Sequence, residues 1–249
     1  MLDFDIRHYR ARVRPLGLKA FRVVYKESDL QVLASRDLAQ QTLAILRKIR
    51  TPLENYILSH PLFLKSLKPI SVEPTAPDIV KIMARAGRLA GTGPMAAVAG
   101  AIAQEVGRSL LLAGFTKEVV VENGGDIFLA LKREATVALW AGDSPLSGKI
   151  GLRISPEIMP LGVCTSSASV GHSLSLGCAD ALCVLAPCAA FADAMATALG
   201  NLVKGRRSWD KILKIVKSMP QVQGVVCVLG EELFAWGPAV RLVPLTSTT

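Results

Sequence analysis

Aromatic side chains are scarce: Phe, Trp and Tyr together make up 5% of the 249 residues. About half of the chain is still hydrophobic, so alanine, valine and leucine must do most of the packing. Histidine occurs three times, and no two of the five cysteines (Cys164, Cys178, Cys183, Cys188, Cys227) have Cys-x-x-Cys spacing. That excludes the common zinc patterns. An odd number of cysteines in apolar surroundings reads as free, reduced thiols. No Gly-x-Gly-x-x-Gly follows a strand-like run, and there is no phosphate-binding Gly-x-x-x-x-Gly-Lys loop, so a dinucleotide-binding parallel sheet is disfavoured. Long apolar runs are missing as well. Pro94–Ala103 and Ala186–Val203 are apolar, but glycine, Asp193 and Asn201 interrupt them. The first fourteen residues hold no apolar stretch of signal-peptide length and no lipobox cysteine. These absences lead to the expectation of a cytoplasmic protein without a membrane partner.

What is present in excess is positive charge. The formal net charge is +9 and the sequence pI about 9.5. Such a balance suits a small anionic ligand, although a solvated basic surface accounts for it equally well. Arg7, Arg10, Arg12, Arg14, Lys19 and Arg22 form one concentration, and Lys204, Arg206 and Arg207 another. Neither is interleaved with aromatics, as single-stranded nucleic acid would require, so no nucleic-acid partner is expected.

Hydrophobic periodicity predicts strands at Ile6–Val13, Phe21–Tyr25 and Leu30–Ala34, the last two joined as a hairpin. Asp37 reads as the cap of a helix over Leu38–Ile49, and Thr51-Pro52 as the start of another. Thr75-x-Pro77 opens a helix to about Arg88, and Met95–Ala113 reads as a long helix of small residues. Strands are expected at Glu118–Glu122 and Asp126–Leu131 around the Asn123-Gly124-Gly125 turn, then at Val137–Trp140, Lys149–Ile154 and Ala181–Leu185. Helices at Ala189–Val203 and Trp209–Met219 follow, and a hairpin of Val225–Leu229 with Leu233–Trp236 closes the chain. Hairpin-paired strands with helices between them predict an α+β fold with antiparallel sheets, as a single domain over residues 1–249.

Three clusters carry the chemistry. Asp193 and Thr197 stand four apart on a helix, so both project from one face. A carboxylate with a hydroxyl suits Mg²⁺, which takes few protein ligands and leaves room for phosphates; an Asp near a helix start also fits simple dipole stabilisation. Gly124, Gly125 and Asp126 form a turn whose glycines let a ligand approach backbone amides, or merely close a hairpin. Cys164 to Ser173 reads as a hydroxyl-rich loop in which Thr165, Ser166, Ser167 and His172 stand out. His172 has the chemistry of a proton carrier near neutral pH, while a polar surface loop would look the same. No Gly-x-Ser-x-Gly elbow surrounds the serines.

In this order the clusters resemble the ApbE-like superfamily of flavin transferases, which split FAD and attach FMN to a threonine of an acceptor protein. Its Ala-Asp-Ala-x-x-Thr helix is similar to Ala192 to Thr197, its Gly-Gly-Asp/Glu turn to Gly124-Gly125-Asp126, and its Thr-Ser-Gly loop to Thr165-Ser166-Ser167. The match spans about Pro94 to Leu202. It implies Mg²⁺ held by the Asp193 and Thr197 side chains and a carbonyl near Ala99, with FAD or FMN bound by Gly124, Gly125, Asp126, Thr165, Ser166 and Ser167. Catalytic roles would fall to His172 and Asp193. The family's usual Lys-Gly is replaced here by Gly100-Ala101, and its His-Ile-x-Asp-Pro-x-Thr-Gly by His172-Ser173-Leu174-Ser175-Leu176-Gly177. The resemblance therefore implies either a metal-dependent transferase or hydrolase acting on FAD or a related nucleotide, with a possible protein acceptor, or a flavin- or anion-binding protein that keeps the pocket without the chemistry. A third reading is a structural partner whose motif residues only cap helices. A homo-oligomer is compatible with all three.

Overall fold

A computed structural model describes residues 17–167 and 177–245, together with Arg10 and Val13. Of the proposed strand at Ile6–Val13 only Arg10 and Val13 are described, and the residues from Ala168 to Leu176, including His172, lie outside the described residues.

The fold is α+β, as the strand and helix pattern predicts. Eight strands form one antiparallel sheet in the order β1 (Lys19–Tyr25), β2 (Ser28–Ala34), β3 (Val119–Asn123), β4 (Asp126–Ala130), β7 (Leu161–Ser166), β8 (Ala181–Ala186), β9 (Gly224–Leu229) and β10 (Glu232–Trp236). A second, three-stranded sheet runs β11 (Leu242–Pro244), β6 (Ile150–Ile154), β5 (Ala135–Ala138).

The alternation of side chains along each strand builds two cores. Val32, Val121, Phe128, Cys164, Val184 and Cys227 face the helices α1 (Ala39–Ser59), α4 (Val98–Leu112), α5 (Ala189–Leu202) and α6 (Trp209–Lys217). Leu129, Val163, Cys183, Leu185 and Val226 face the small sheet, meeting Leu152 and Ile154. With few aromatics available, close approach replaces bulk. Ala97, Ala101, Ala190 and Ala194 pack with Val80 and Met83 of α3 (Asp78–Ala90). The stretch Pro94–Leu112 is long and apolar enough to cross a membrane, but half of it is buried inside the protein. Ile102, Val106 and Leu110 point into the core of the large sheet.

Two local expectations change. Asp37 does accept a hydrogen bond from the Ala39 amide (2.9 Å), but Thr51-Pro52 does not restart the helix: α1 runs through it to Ser59. The buried stripe Thr42, Leu46, Arg50, Leu53, Tyr56 continues past the proline. Packing along that stripe outweighs the one backbone hydrogen bond that Pro52 removes. The second change concerns Leu161–Ser166, read in part as a loop from its hydroxyls. It is a strand at the sheet centre, flanked by β4 and β8. Its hydroxyls hid the apolar half, Leu161, Val163 and Cys164, which is buried.

Candidate functional site

Sheet topology gathers the site. β4 and β7 are antiparallel neighbours, Ile127 opposite Val163. The first residue of β4, Asp126, and the last residues of β7, Thr165 and Ser166, therefore lie at the same end of the sheet. The turn feeding β4 has two residues, because Asn123 pairs with Asp126. Gly124 and Gly125 both take positive φ, 68° and 98°, as a tight type I′ turn requires. The Gly125 amide donates to Glu122 Oε1 (2.8 Å), so the turn consumes that amide itself.

Alternation then decides which side chains face the helices. Asn123, Asp126, Cys164 and Ser166 share parity with Val121 and Phe128 on the helix side. The Asn123 amide reaches the Ala99 carbonyl in α4 (3.2 Å), and the Cys164 thiol reaches the Ala189 carbonyl in α5 (3.3 Å). A Cβ at Gly200 would stand 3.3 Å from Ser166 Oγ. Thr165 points the other way: it stands directly opposite Cys183 across the β7–β8 pair, and Cys183 belongs to the core of the small sheet. Only the Thr165 backbone joins the site, its amide donating to Asp126 Oδ1 (3.3 Å). Ser167 ties the strand end to the Asp180 carbonyl (2.6 Å). The expected three-hydroxyl lining is thus corrected: Ser166 faces the helices, Thr165 faces away, and Ser167 serves the backbone.

At the centre are two carboxylates. Asp193 is half-buried on α5, and its Oδ2 accepts the Gly100 amide (2.9 Å). Burial raises its pKa to about 7, against the opposing pull of the Gly100 and Ala99 amides. Asp126 is buried. Burial and the nearby Asp193 charge hold it well above the usual carboxylate range, more than the Cys164 thiol and Thr165 amide pull it down. Cys164 is raised in turn by burial and by both carboxylates, so it is a neutral thiol rather than a nucleophile. Among the described residues, no lysine or arginine forms an ion pair with Asp126 or Asp193.

Along α5, Asp193 and Thr197 occupy one face one turn apart, and Asn201 continues the stripe a turn later. All three are half-buried on a helix whose other faces are closed by Phe191, Ala192, Ala194, Met195, Ala196 and Leu199. The Ala99 carbonyl lies in the first turn of α4 and already serves Asn123. No group of three or more His, Cys, Asp or Glu side chains converges among the described residues. Any cation here would rest on hydroxyl, backbone or ligand oxygens besides the carboxylates. A separate cavity of about 340 Å³, lined by Tyr56, His60, Phe63, Ile70 and Glu73, shares no residue with this site.

The family model described as AbpE bacteria matches residues 10–214. The chain belongs to this family. It is 40% identical over 228 residues to the UPF0280 protein MJ1526 of Methanocaldococcus jannaschii, covering 89% of this chain and 92% of that one. A UPF0280 protein of Methanococcus aeolicus is 45% identical over 211 residues, covering 83% and 84%. Among solved structures, the flavinyl transferase ApbE of Pseudomonas stutzeri in its apo form superposes with a TM-score of 0.56 at 15% identity, covering 88% of this chain and 93% of that one. The flavin transferase ApbE of Vibrio cholerae gives 0.51 at 12% identity, covering 89% and 97%. At these identities the likeness is one of fold, and membership of the ApbE-like superfamily follows from it together with the family match.

The family's motif residues therefore meet in part. Asp126, Ser166, Asp193 and Thr197 come from β4, β7 and α5, and Ala99 joins through Asn123. Gly124 and Gly125 shape the turn that delivers Asp126. Gln104 has no motif signature inside a helix, and Asn123 reads in the sequence only as part of the Asn123-Gly124-Gly125 turn. Their roles emerge only through contacts 85 and 24 residues away.

Proposed function

We propose that this chain is a magnesium-dependent flavin transferase-like protein, acting on FAD or a related nucleotide at the Asp126–Asp193 site. The observation that carries the reading is the carboxylate pair itself. Two neighbouring acids, one buried and one half-buried, raise each other's cost of ionisation, and the described residues offer no cation to offset it. A hard dication meets that need, and oxygen-only donors are what Mg²⁺ takes. Asp193 and Thr197 would hold it, with Asp126 completing the negative side. When bound, the ion would neutralise charge on a diphosphate and stabilise charge that develops as the phosphoanhydride is cleaved.

This chain's own residues supply the frame. The amides of Ala99 and Gly100 fix one side of the Asp193 carboxylate, leaving lone pairs for another partner. Ser166 stands beside Gly200 on α5, facing the same side as Asp126. The positive loop Lys204, Arg206, Arg207 follows α5 directly and would attract an anionic substrate. The similar solved proteins are named flavin transferases, which supports FAD as the first ligand to try. An acceptor protein belongs to the same proposal, as does a cytoplasmic setting, which the five free cysteines favour.

The test is a thermal-shift series with FAD, FMN, ATP and AMP, each with and without Mg²⁺. A Tm increase that needs both FAD and Mg²⁺, and that Asp193→Asn removes, supports the reading. An increase with FAD that ignores Mg²⁺ and survives the substitution would instead favour a binding protein without metal chemistry.

A further inference from the structure

Two of the site's helices begin without a local cap. The residue preceding α4 is Ala97 and the residue preceding α5 is Cys188, and neither makes a side-chain capping bond. Both helix starts point into the protein, where uncapped amides are costly. The missing caps come from the opposite helix. Asp193, in the second turn of α5, accepts the Gly100 amide at 2.9 Å, and the neighbouring Ala99 amide also favours its charged form. These are the donors a side-chain cap would ordinarily serve. In return Gln104, in the second turn of α4, places Oε1 2.8 Å from the Ala189 amide, the first of α5. Gln104 is buried, and its Nε2 is oriented by Glu105 Oε1 at 3.3 Å. Gly100 makes the exchange possible, since a Cβ there would lie 2.4 Å from the Ala189 carbonyl oxygen and 2.8 Å from Asp193 Cβ.

We propose that Gln104 is a positioning residue for Asp193: α4 and α5 cap each other's N-termini, and this two-way clamp sets where the Asp193 carboxylate stands. Gln104 does not hydrogen-bond Asp193 and acts on it through the seating of α5. Lose the Ala189 bond, and the start of α5 is free to lift, carrying Asp193 off the α4 amides. The consequence for metal binding rests on the function proposed above; the clamp itself rests on hydrogen bonds alone.

The two claims are separable by experiment. The Gly100 amide has Asp193 Oδ2 as its hydrogen-bond acceptor at 2.9 Å, so its hydrogen exchange reports that bond. Exchange is measured by NMR on the full chain without metal, in wild type, Gln104→Met and Asp193→Ala, with circular dichroism confirming the fold. The clamp predicts faster Gly100 exchange in Gln104→Met, and faster Ala189 exchange in Asp193→Ala, each by about tenfold or more. Gln104→Glu keeps the acceptor and should restore Gly100 protection. If Gln104→Met does not fold, Gln104→Asn, one methylene too short to reach Ala189, carries the same comparison. Unchanged Gly100 exchange in a folded Gln104 variant overturns the proposal.

Mn²⁺ titration of the same proteins by electron paramagnetic resonance adds the second arm. Wild-type binding that weakens about 10- to 100-fold in Gln104→Met, the usual cost of losing a supporting contact, and recovers in Gln104→Glu extends the clamp to the metal. If wild type binds no Mn²⁺, the metal reading falls while the exchange data still decide the clamp. Equal Mn²⁺ affinity in wild type and Gln104→Met, with Gly100 exchange accelerated, overturns the link between clamp and carboxylate position.

Discussion

Asp193 is the residue on which structure and function compete. Without a cation it is a half-buried acid whose folded pKa, about 7, lies above its ordinary 3.8. Between those values the folded protein holds a proton that the unfolded chain has lost, so its contribution to stability falls as pH rises. That contribution is complete below about pH 4 and is lost as pH passes through about 7. Asp126 is raised as well and acts in the same direction. Urea denaturation of metal-free protein between pH 5 and 8 should therefore show stability declining with pH. In Asp193→Asn, which keeps an oxygen for the Gly100 amide, the decline should be shallower and stability at pH 8 at least equal to wild type. Saturating Mg²⁺ should flatten the wild-type slope but leave the variant unmoved. Identical slopes in the two metal-free proteins would show that Asp193 does not carry a raised pKa.

At the scale of elements, the α4–α5 contact depends on glycine at position 100. Gly100→Ala ordinarily favours a helix by about 1 kcal/mol. Here the added methyl meets the Ala189 carbonyl and Asp193, and overpacking of this kind costs about 1–3 kcal/mol. The expected net effect is destabilisation by up to about 2 kcal/mol in chemical denaturation, with weakened Mg²⁺-dependent stabilisation by FAD. A stabilised variant would mean that the two helices separate easily and that no clamp exists. The β3–β4 turn offers a second case. Gly125 sits at φ 98° with open space where a Cβ would go, so Gly125→Ala meets conformational strain and no clash. A loss of about 1 kcal/mol is expected by the same denaturation assay, with Asp126 the first site residue disturbed. Pro52 illustrates the opposite lesson, a local breaker overridden by a buried stripe that continues on either side of it.

For the whole molecule, strands from both ends of the described chain share one sheet, with β1–β2 at one edge and β9–β10 at the other. The cysteines report on that sheet. Cys164, Cys183 and Cys227 are buried on its strands, Cys188 is partly buried and Cys178 is exposed. Burial pushes Cys183 and Cys227 up to about 12, which leaves almost no reactive thiolate at neutral pH. Thiol titration of native protein should show fast labelling at Cys178, slower labelling at Cys188, and the remaining three only on unfolding. Intact mass without reductant should show no internal disulfide. A stoichiometric disulfide would overturn both the free-thiol reading and the proposal of a reducing compartment.

Sequence by itself determined the α+β class, most of the strands and helices, and the motif order that ties the chain to its family. The reason is physical: alternating and helical periodicity, Gly-Gly at a turn and Thr-x-Pro at a helix start act over a few residues and leave their marks there. It also placed Asp193 and Thr197 on one helix face, because four-residue spacing leaves no other choice. What only the tertiary structure decided was direction and partnership. Thr165 and Ser166 look alike in sequence, yet the register of β7 turns one toward Cys183 and the other toward α5. Gln104 and Asn123 look ordinary until α4 is laid across β3 and against α5. The carboxylate pair is 67 residues apart in the chain, and nothing local brings Asp126 to Asp193. Long-range strand order and helix packing do, because burying the apolar faces of β4, β7, α4 and α5 together leaves these acids one place to meet.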